Sequence, residues 1–206
     1  MKNCYLRFQT VSLLALTATI FAGCSSQDGG DQPDGAARLD TSERKPTLVR
    51  MQATATIEPK GDSRMTGTAV FMQAVGKVVL RLKVENAPPG THAVHLHQIG
   101  DCSSPDGKSA GGHWNPRGVD HGRWGTDPFH TGDIGNMNVD QTGQGSYTLM
   151  TDLWSIGGAE DSNVVGRAII IHAGLDDFMT QPTGNAGGRI GCGVIQMQEM
   201  KPQKKP

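Results

Sequence analysis

Residues 48–98 read LVRMQATATIEPKGDSRMTGTAVFMQAVGKVVLRLKVENAPPGTHAVHLHQ. Val49, Met51, Ala53, Ala55 and Ile57 alternate with Arg50, Gln52, Thr54 and Thr56, the period of a half-buried β-strand. Gly61-Asp62 turns the chain, after which Thr66 to Met72 and Val78 to Val84 read as two more strands, about ten residues apart. Asn86-Ala87-Pro88-Pro89-Gly90 ends the third strand, and Thr91 to Gln98 begins a fourth. Antiparallel pairing follows, because such short connections cannot cross over to a parallel neighbour.

The pattern resumes beyond a long gap. Gly145 to Leu153, Val164 to His172 and Ile190 to Gln198 have strand character, separated by the segments Gly100 to Gly143 and Ala173 to Gly188. The first of these is rich in glycine and proline and has little periodicity, and a structureless stretch of that size inside a compact domain is usually functional or held by a metal or disulfide. The composition agrees: 28 glycines and 11 prolines in 206 residues, with few aromatics, suit turns between strands rather than helices. The expected fold is all-β, an eight-stranded Greek-key barrel or sandwich of immunoglobulin-like type with two long functional loops, and no internal repeat is visible.

The ends of the chain read differently. Lys2 and Arg7 precede an apolar run from Val11 to Ala22 that is short for a bilayer span, so residues 1–23 are expected to be an export signal. Phe21-Ala22-Gly23-Cys24 resembles a bacterial lipobox, although Phe21 departs from its usual leucine; the alternative is ordinary cleavage near Gly23. The lipobox reading makes Cys24 the lipidated residue and residues 24–46, polar and almost without apolar side chains, a flexible tether to a membrane. The globular domain is then 47–199 and residues 200–206 a basic, solvated tail. Localisation is expected on the periplasmic or extracellular side, in an oxidising compartment where Cys102 and Cys192 read as a disulfide rather than two free thiols. A formal net charge of -1 with no large Lys/Arg block excludes a nucleic-acid partner.

Chemistry concentrates in the seven histidines. His95 and His97 are two apart on a strand, so both rings leave the same face, close enough to share a metal ion. His113, His121 and His130 with Asp133 give three imidazoles and a carboxylate on the glycine-rich loop, a tetrahedral N/O set suited to zinc. Metal binding there would also supply the free energy that orders the loop. His172 ends the apolar run Ala168-Ile169-Ile170-Ile171, where an unpartnered imidazole would be costly.

From Leu48 to Gln198 the chain resembles the copper/zinc superoxide dismutases. The resemblance lies in five separated motifs: Gly90-Thr91-His92-Ala93-Val94-His95-Leu96-His97; Ala110-Gly111-Gly112-His113-Trp114-Asn115-Pro116; His130-Thr131-Gly132-Asp133; Ile171-His172-Ala173-Gly174-Leu175-Asp176-Asp177; and Gly188-Arg189-Ile190-Gly191-Cys192-Gly193-Val194-Ile195. It implies copper held by His95, His97, His113 and His172, zinc by His113, His121, His130 and Asp133, and His113 bridging the two. It further implies that Asp176 orients a ligand of each metal, that His92 supports the copper loops from off the metal face, and that Cys102 and Cys192 form the family's intrasubunit disulfide. Arg189 matches the arginine that attracts the substrate anion. The activity implied is disproportionation of superoxide to oxygen and hydrogen peroxide through cycling of copper between two oxidation states, with His113 the proton donor to departing peroxide. The loop Ala173 to Gly188 carries no lysine, so steering of the anion is expected to rest on Arg189 and a residue such as Lys108. Relatives associate through different barrel faces, so a homodimer is a further expectation. The rival readings are a non-catalytic copper/zinc-binding lipoprotein and a purely structural β-domain; seven histidines in ligand arrangement weigh against the second.

Overall fold

The computed structural model describes residues 51–198. The expected export signal, the expected tether with Cys24 and the expected basic tail lie outside the described residues. Nine strands follow in order: β1 (Gln52–Pro59), β2 (Thr66–Ala74), β3 (Lys77–Glu85), β4 (Gly90–His97), β5 (Gly135–Val139), β6 (Gly145–Thr151), β7 (Ala168–His172), β8 (Arg189–Val194) and β9 (Gln196–Gln198). A single 3-10 turn, Lys108–Ala110, interrupts the loop after β4.

The sheet runs β2-β3-β6-β5-β4-β7-β8-β1-β9, and β1 also pairs with β2, so it closes on itself. Every strand pairing in it is antiparallel. β8 and β9 lie along β1 in one register, Cys192 opposite Glu58 and Gln196 opposite Thr54, and together form one side of an eight-stranded barrel. The final strand breaks at Ile195, whose N–H donates to Arg167 O and whose carbonyl accepts from Gly166 N.

Alternation fixes which side chains fill the barrel. Ala53, Ala55 and Ile57 point inward from β1, Ala69 and Phe71 from β2, and Val78, Leu80, Leu82 and Val84 from β3. Val94 and Leu96 face the same core from β4, which sends His95 and His97 to the opposite side. Closure leaves the barrel without open sheet edges and gives the rigid wall on which the loops are mounted.

The segment Gly100 to Gly143 is less irregular than the sequence reading expects, because β5 lies within it. Met137 and Val139 are buried and Asn138 exposed, an alternation only five residues long. Val164 precedes β7 rather than starting it: a turn closed by Arg167 N–H donating to Val164 O occupies the intervening residues.

Candidate metal centre

β4 delivers His95 and His97, and the end of β7 delivers His172. A register shift after Ile171 sets His172 opposite Arg189, so these two residues are cross-strand neighbours. The loop after β4 folds back on that strand. His113 forms an isolated antiparallel bridge with His97. Trp114 N–H donates to Leu96 O, Gly132 N–H to Trp114 O and Leu96 N–H to Gly132 O. Those bonds stitch the histidine-bearing loop to the edge of β4 beyond the stretch that β5 pairs.

Two ligand groups result, both buried: His95, His97, His113 and His172 in one, and His113, His121, His130 and Asp133 in the other, with one potential ligand atom per residue and mutual distances within 4.8 Å. Metal–nitrogen bonds of about 2.0–2.1 Å put opposed ligands roughly 4 Å apart, so each group has the right size for one ion.

The outward nitrogens fix how each ring is held. His95 Nε2 lies 2.9 Å from Asp176 Oδ2, His97 Nδ1 is 2.9 Å from Gly111 O, and His172 Nδ1 is 3.3 Å from Gly187 O. In the second group His121 Nε2 is 2.9 Å from Asp176 Oδ1, and His130 Nε2 is 3.1 Å from Val119 O. In His95, His97 and His172 only this outward nitrogen faces an oxygen acceptor, so it carries the proton and leaves a lone pair on the other, turned into the group; in His121 and His130 the inward nitrogen faces Asp133 as well.

His113 differs from the other five. Its Nδ1 faces Asp133 Oδ1 at 2.8 Å and His130 Nδ1 at 3.4 Å, inside the second group, while its Nε2 belongs to the first. Neither nitrogen has a partner outside the two groups.

Five ring nitrogens are buried with no partner outside the two groups, His95 Nδ1, His97 Nε2, His113 Nε2, His121 Nδ1 and His172 Nε2, and of these only His121 Nδ1 meets a group inside its own set, Asp133 Oδ2 at 3.0 Å. Orphaned polar atoms are rare in folded proteins because each carries an uncompensated desolvation cost. Here they converge, and a cation in each group would satisfy all five. The donor chemistry matches: all-imidazole suits copper, and three imidazoles with a carboxylate suit zinc.

Burial holds the first group neutral. It lowers His113 to about 4 and His172 to about 3, and it drives His97 well below the ordinary imidazole range. His121, in the second group, behaves oppositely. Burial opposes the charge on His121, but hydrogen bonds to Asp133 and Asp176 outweigh it and raise the ring to about 9. Asp133 is also disfavoured by burial, yet bonds from His113, His121 and His130 take it far below the usual carboxylate range. Its Oδ2 in addition accepts the backbone N–H groups of Gly122 and His130.

Asp176 ties the groups together and is itself locked. Asn136 of β5 accepts its backbone N–H at 2.8 Å and donates to its carbonyl at 2.9 Å. Gly184, in the left-handed region at φ +65°, packs so closely that a Cβ there would collide with Asp176 Oδ1 and come within 2.7 Å of His121 Nε2. Gln181 brackets the His121 peptide, accepting its N–H and donating to its carbonyl. The sequence reading did not find Asn136, Gly184 or Gln181; Asn136 and Gln181 hold backbone and Gly184 leaves space for a carboxylate, none of which gives a ligand-type signal.

His92 sits apart from the ligand groups, buried between Pro88 O at 2.8 Å and His172 O at 2.9 Å. Cys102 and Cys192 are joined as a disulfide. Arg189 is half-buried and donates to Gly107 O and Gly111 O, both at 2.6 Å. Lys108, by contrast, pairs with Asp106 at 2.9 Å and is 80% exposed, a weak source of directed field.

Known proteins share this arrangement of sequence. The family described as copper/zinc superoxide dismutase matches residues 65–195. Superoxide dismutase [Cu-Zn] 1 of Aquifex aeolicus is 34% identical over 144 residues, covering 68% of this chain and 84% of that protein. Superoxide dismutase [Cu-Zn] of Caulobacter vibrioides is 36% identical over 149 residues, 70% of this chain and 85% of that one. Among solved structures, the crystal structure of the clock protein EA4 superposes with a TM-score of 0.64 at 33% identity, covering 71% of this chain and 94% of that chain.

Proposed function

This chain belongs to the copper/zinc superoxide dismutase family and disproportionates superoxide to oxygen and hydrogen peroxide; we propose that His95, His97, His113 and His172 hold its copper and His113, His121, His130 and Asp133 its zinc. The observation that carries this reading is His113, whose two ring nitrogens point into different ligand groups and find no partner elsewhere. Bound copper supplies one-electron redox chemistry, and zinc supplies charge and geometry alone.

The remaining roles belong to the chain. Each peroxide formed takes up two protons, and His113 Nε2 is the nitrogen that carries one of them, since Nδ1 is engaged on the zinc side. Asp176 fixes the rings of His95 and His121 through their outer N–H groups, and His92 braces the backbone of His172. Arg189 uses two of its five donors on loop carbonyls and keeps the rest for the substrate anion. Burial lowers its pKa from the ordinary guanidinium value.

Residues 1–23 are the export signal in this reading, and Cys24 carries the lipid that tethers the domain, 47–199, outside the cytoplasm. The polar stretch after Cys24 and the disulfide, a bond of oxidising compartments, support it. Association as a homodimer belongs to the same proposal, and sedimentation of the purified domain decides it.

The test is anomalous diffraction at the copper and zinc edges with superoxide consumption measured on the same protein. Both ions sharing His113, with turnover lost in His172→Ala, is the expected result. Separate, unbridged ions would overturn the ligand assignment, and bound metals without turnover would favour a metal-binding lipoprotein. Cys24→Ser should move the protein from the membrane fraction to the soluble one.

A further inference from the structure

One cation close to the site has no part in the account so far. Lys60 follows the end of β1, and its side chain is only 9% exposed. Lysine is seldom buried to this degree unless its ammonium is satisfied. Here Nζ donates to Cys102 O at 2.7 Å, the first residue of the disulfide. The carboxylate of Glu58 lies at 3.9 Å and is itself largely exposed, so the carbonyl is the principal partner.

The stem of Lys60 is also engaged. A Cβ built on Gly107 would lie 3.5 Å from Lys60 Cγ and 3.3 Å from both Cβ and Cδ of Arg189, so the two long side chains converge on this one glycine. Gly107 is left-handed at φ +70° and has no side chain of its own to separate them. The neighbouring backbone is clamped in the same way, with Lys60 N–H on Ile190 O and Gly61 N–H on Pro105 O.

Segment 102–111 is therefore held at three points. Cys102 is fixed through sulfur to Cys192 and through its carbonyl to Lys60. Gly107 is packed by Lys60 and bonded by Arg189, and Gly111 O accepts from both Arg189 and His97 Nδ1. A shift of this segment would move the acceptors that aim Arg189 and the one that orients His97.

We propose that Lys60 is a positioning residue for Arg189: its buried ammonium and stem hold segment 102–111 so that the Gly107 and Gly111 carbonyls aim the guanidinium at the anion. The inference rests on the ligand and arginine assignments above and adds to them a residue that touches neither metal nor substrate.

The probe is azide, a small anion, titrated into copper- and zinc-loaded protein and read by its charge-transfer absorption. Lys60→Met keeps the stem and removes the donor. It is expected to retain both metals and the disulfide while binding azide about fivefold more weakly, with a matching fall in superoxide consumption. Lys60→Arg, which restores a cationic donor, should recover most of the loss. A purely structural lysine would lower the melting temperature of Lys60→Met and leave azide affinity at the wild-type value, and that result overturns the proposal. Should Lys60→Met fail to fold, Lys60→Gln, polar but too short to reach the carbonyl, is read by the same criterion. Wild-type protein that binds copper and azide, with no change on substitution, overturns the role of Lys60 alone; wild-type protein that takes up no copper overturns the ligand assignment and this role with it.

Discussion

Asp176 reaches His95 Nε2 with one carboxylate oxygen and His121 Nε2 with the other, each at 2.9 Å, so a single side chain orients a ring in each ligand group. An amide cannot do this, because one of its two ends is a donor that would face an N–H. Asp176→Asn is therefore expected to weaken retention of both metals, by about 10- to 100-fold. Competition against a chromogenic chelator measures it. Loss confined to one metal would mean that the carboxylate serves only one group.

Proton release should follow the order of metal addition. Near pH 7.5 His121, raised to about 9, is protonated, so zinc binding at its Nδ1 displaces about one proton. Copper added next meets rings that burial already keeps neutral, and displaces only the remaining proton of His113 if that ring bridges. Calorimetry in buffers of different ionisation enthalpy counts both. No proton release on copper addition would exclude a shared imidazolate.

Metal-free protein should lose stability as pH falls below about 6.5. His113 and His172 take up protons at 6.5 when unfolded, but burial holds them to about 4 and 3 when folded, so the unfolded chain binds more protons across that interval. Asp133 and Asp176, which protonate far below 3.8 in the fold, extend the loss to lower pH. His121 works in reverse: raised to about 9, its contribution is complete below 6.5 and fades as pH rises through 9. Denaturant midpoints from pH 4 to 10 should peak near neutrality. At about 1.4 kcal/mol per pKa unit, the acid limb amounts to several kcal/mol.

Replacing Arg189 with Met removes the donors to Gly107 O and Gly111 O together with the charge. Superoxide consumption should fall about tenfold or more and lose most of its dependence on salt, while copper and zinc contents stay at wild-type levels. Pulse radiolysis at several ionic strengths reads both. An unchanged salt slope would transfer steering to other cations.

The disulfide closes a sequence separation of 90 residues. Chain-entropy arguments give about 4 to 5 kcal/mol for a loop of that length, and observed contributions run at about 2 to 4 kcal/mol. Cys192→Ser, or reduction, should lower the stability of the metal-free protein by about 3 kcal/mol. Equilibrium unfolding with and without reductant measures it.

Much of the fold is legible because a strand with one wet face writes its period into the chain, as Ala53 to Ile57 and Val78 to Val84 do. β5 escaped because its five residues include Gly135, Asn136 and Asn138, types that read as turn, and only tertiary pairing with β4 makes them a strand. At the site, the histidines and Asp133 were visible as ligand-type residues in ligand-type spacing. Asn136, Gln181 and Lys60 were not, since each acts on a peptide group brought close by folding over 40 to 60 residues of chain, and local sequence carries no trace of such a partner.

Position 184 sets a limit on how this protein can change. A methyl group there would occupy the space of Asp176 Oδ1, so even alanine evicts the carboxylate, and the backbone conformation disfavours every chiral residue besides. A saturation library at this codon should yield one surviving amino acid under selection for activity. Natural or laboratory evolution must keep that single gap empty for both ions to stay in place.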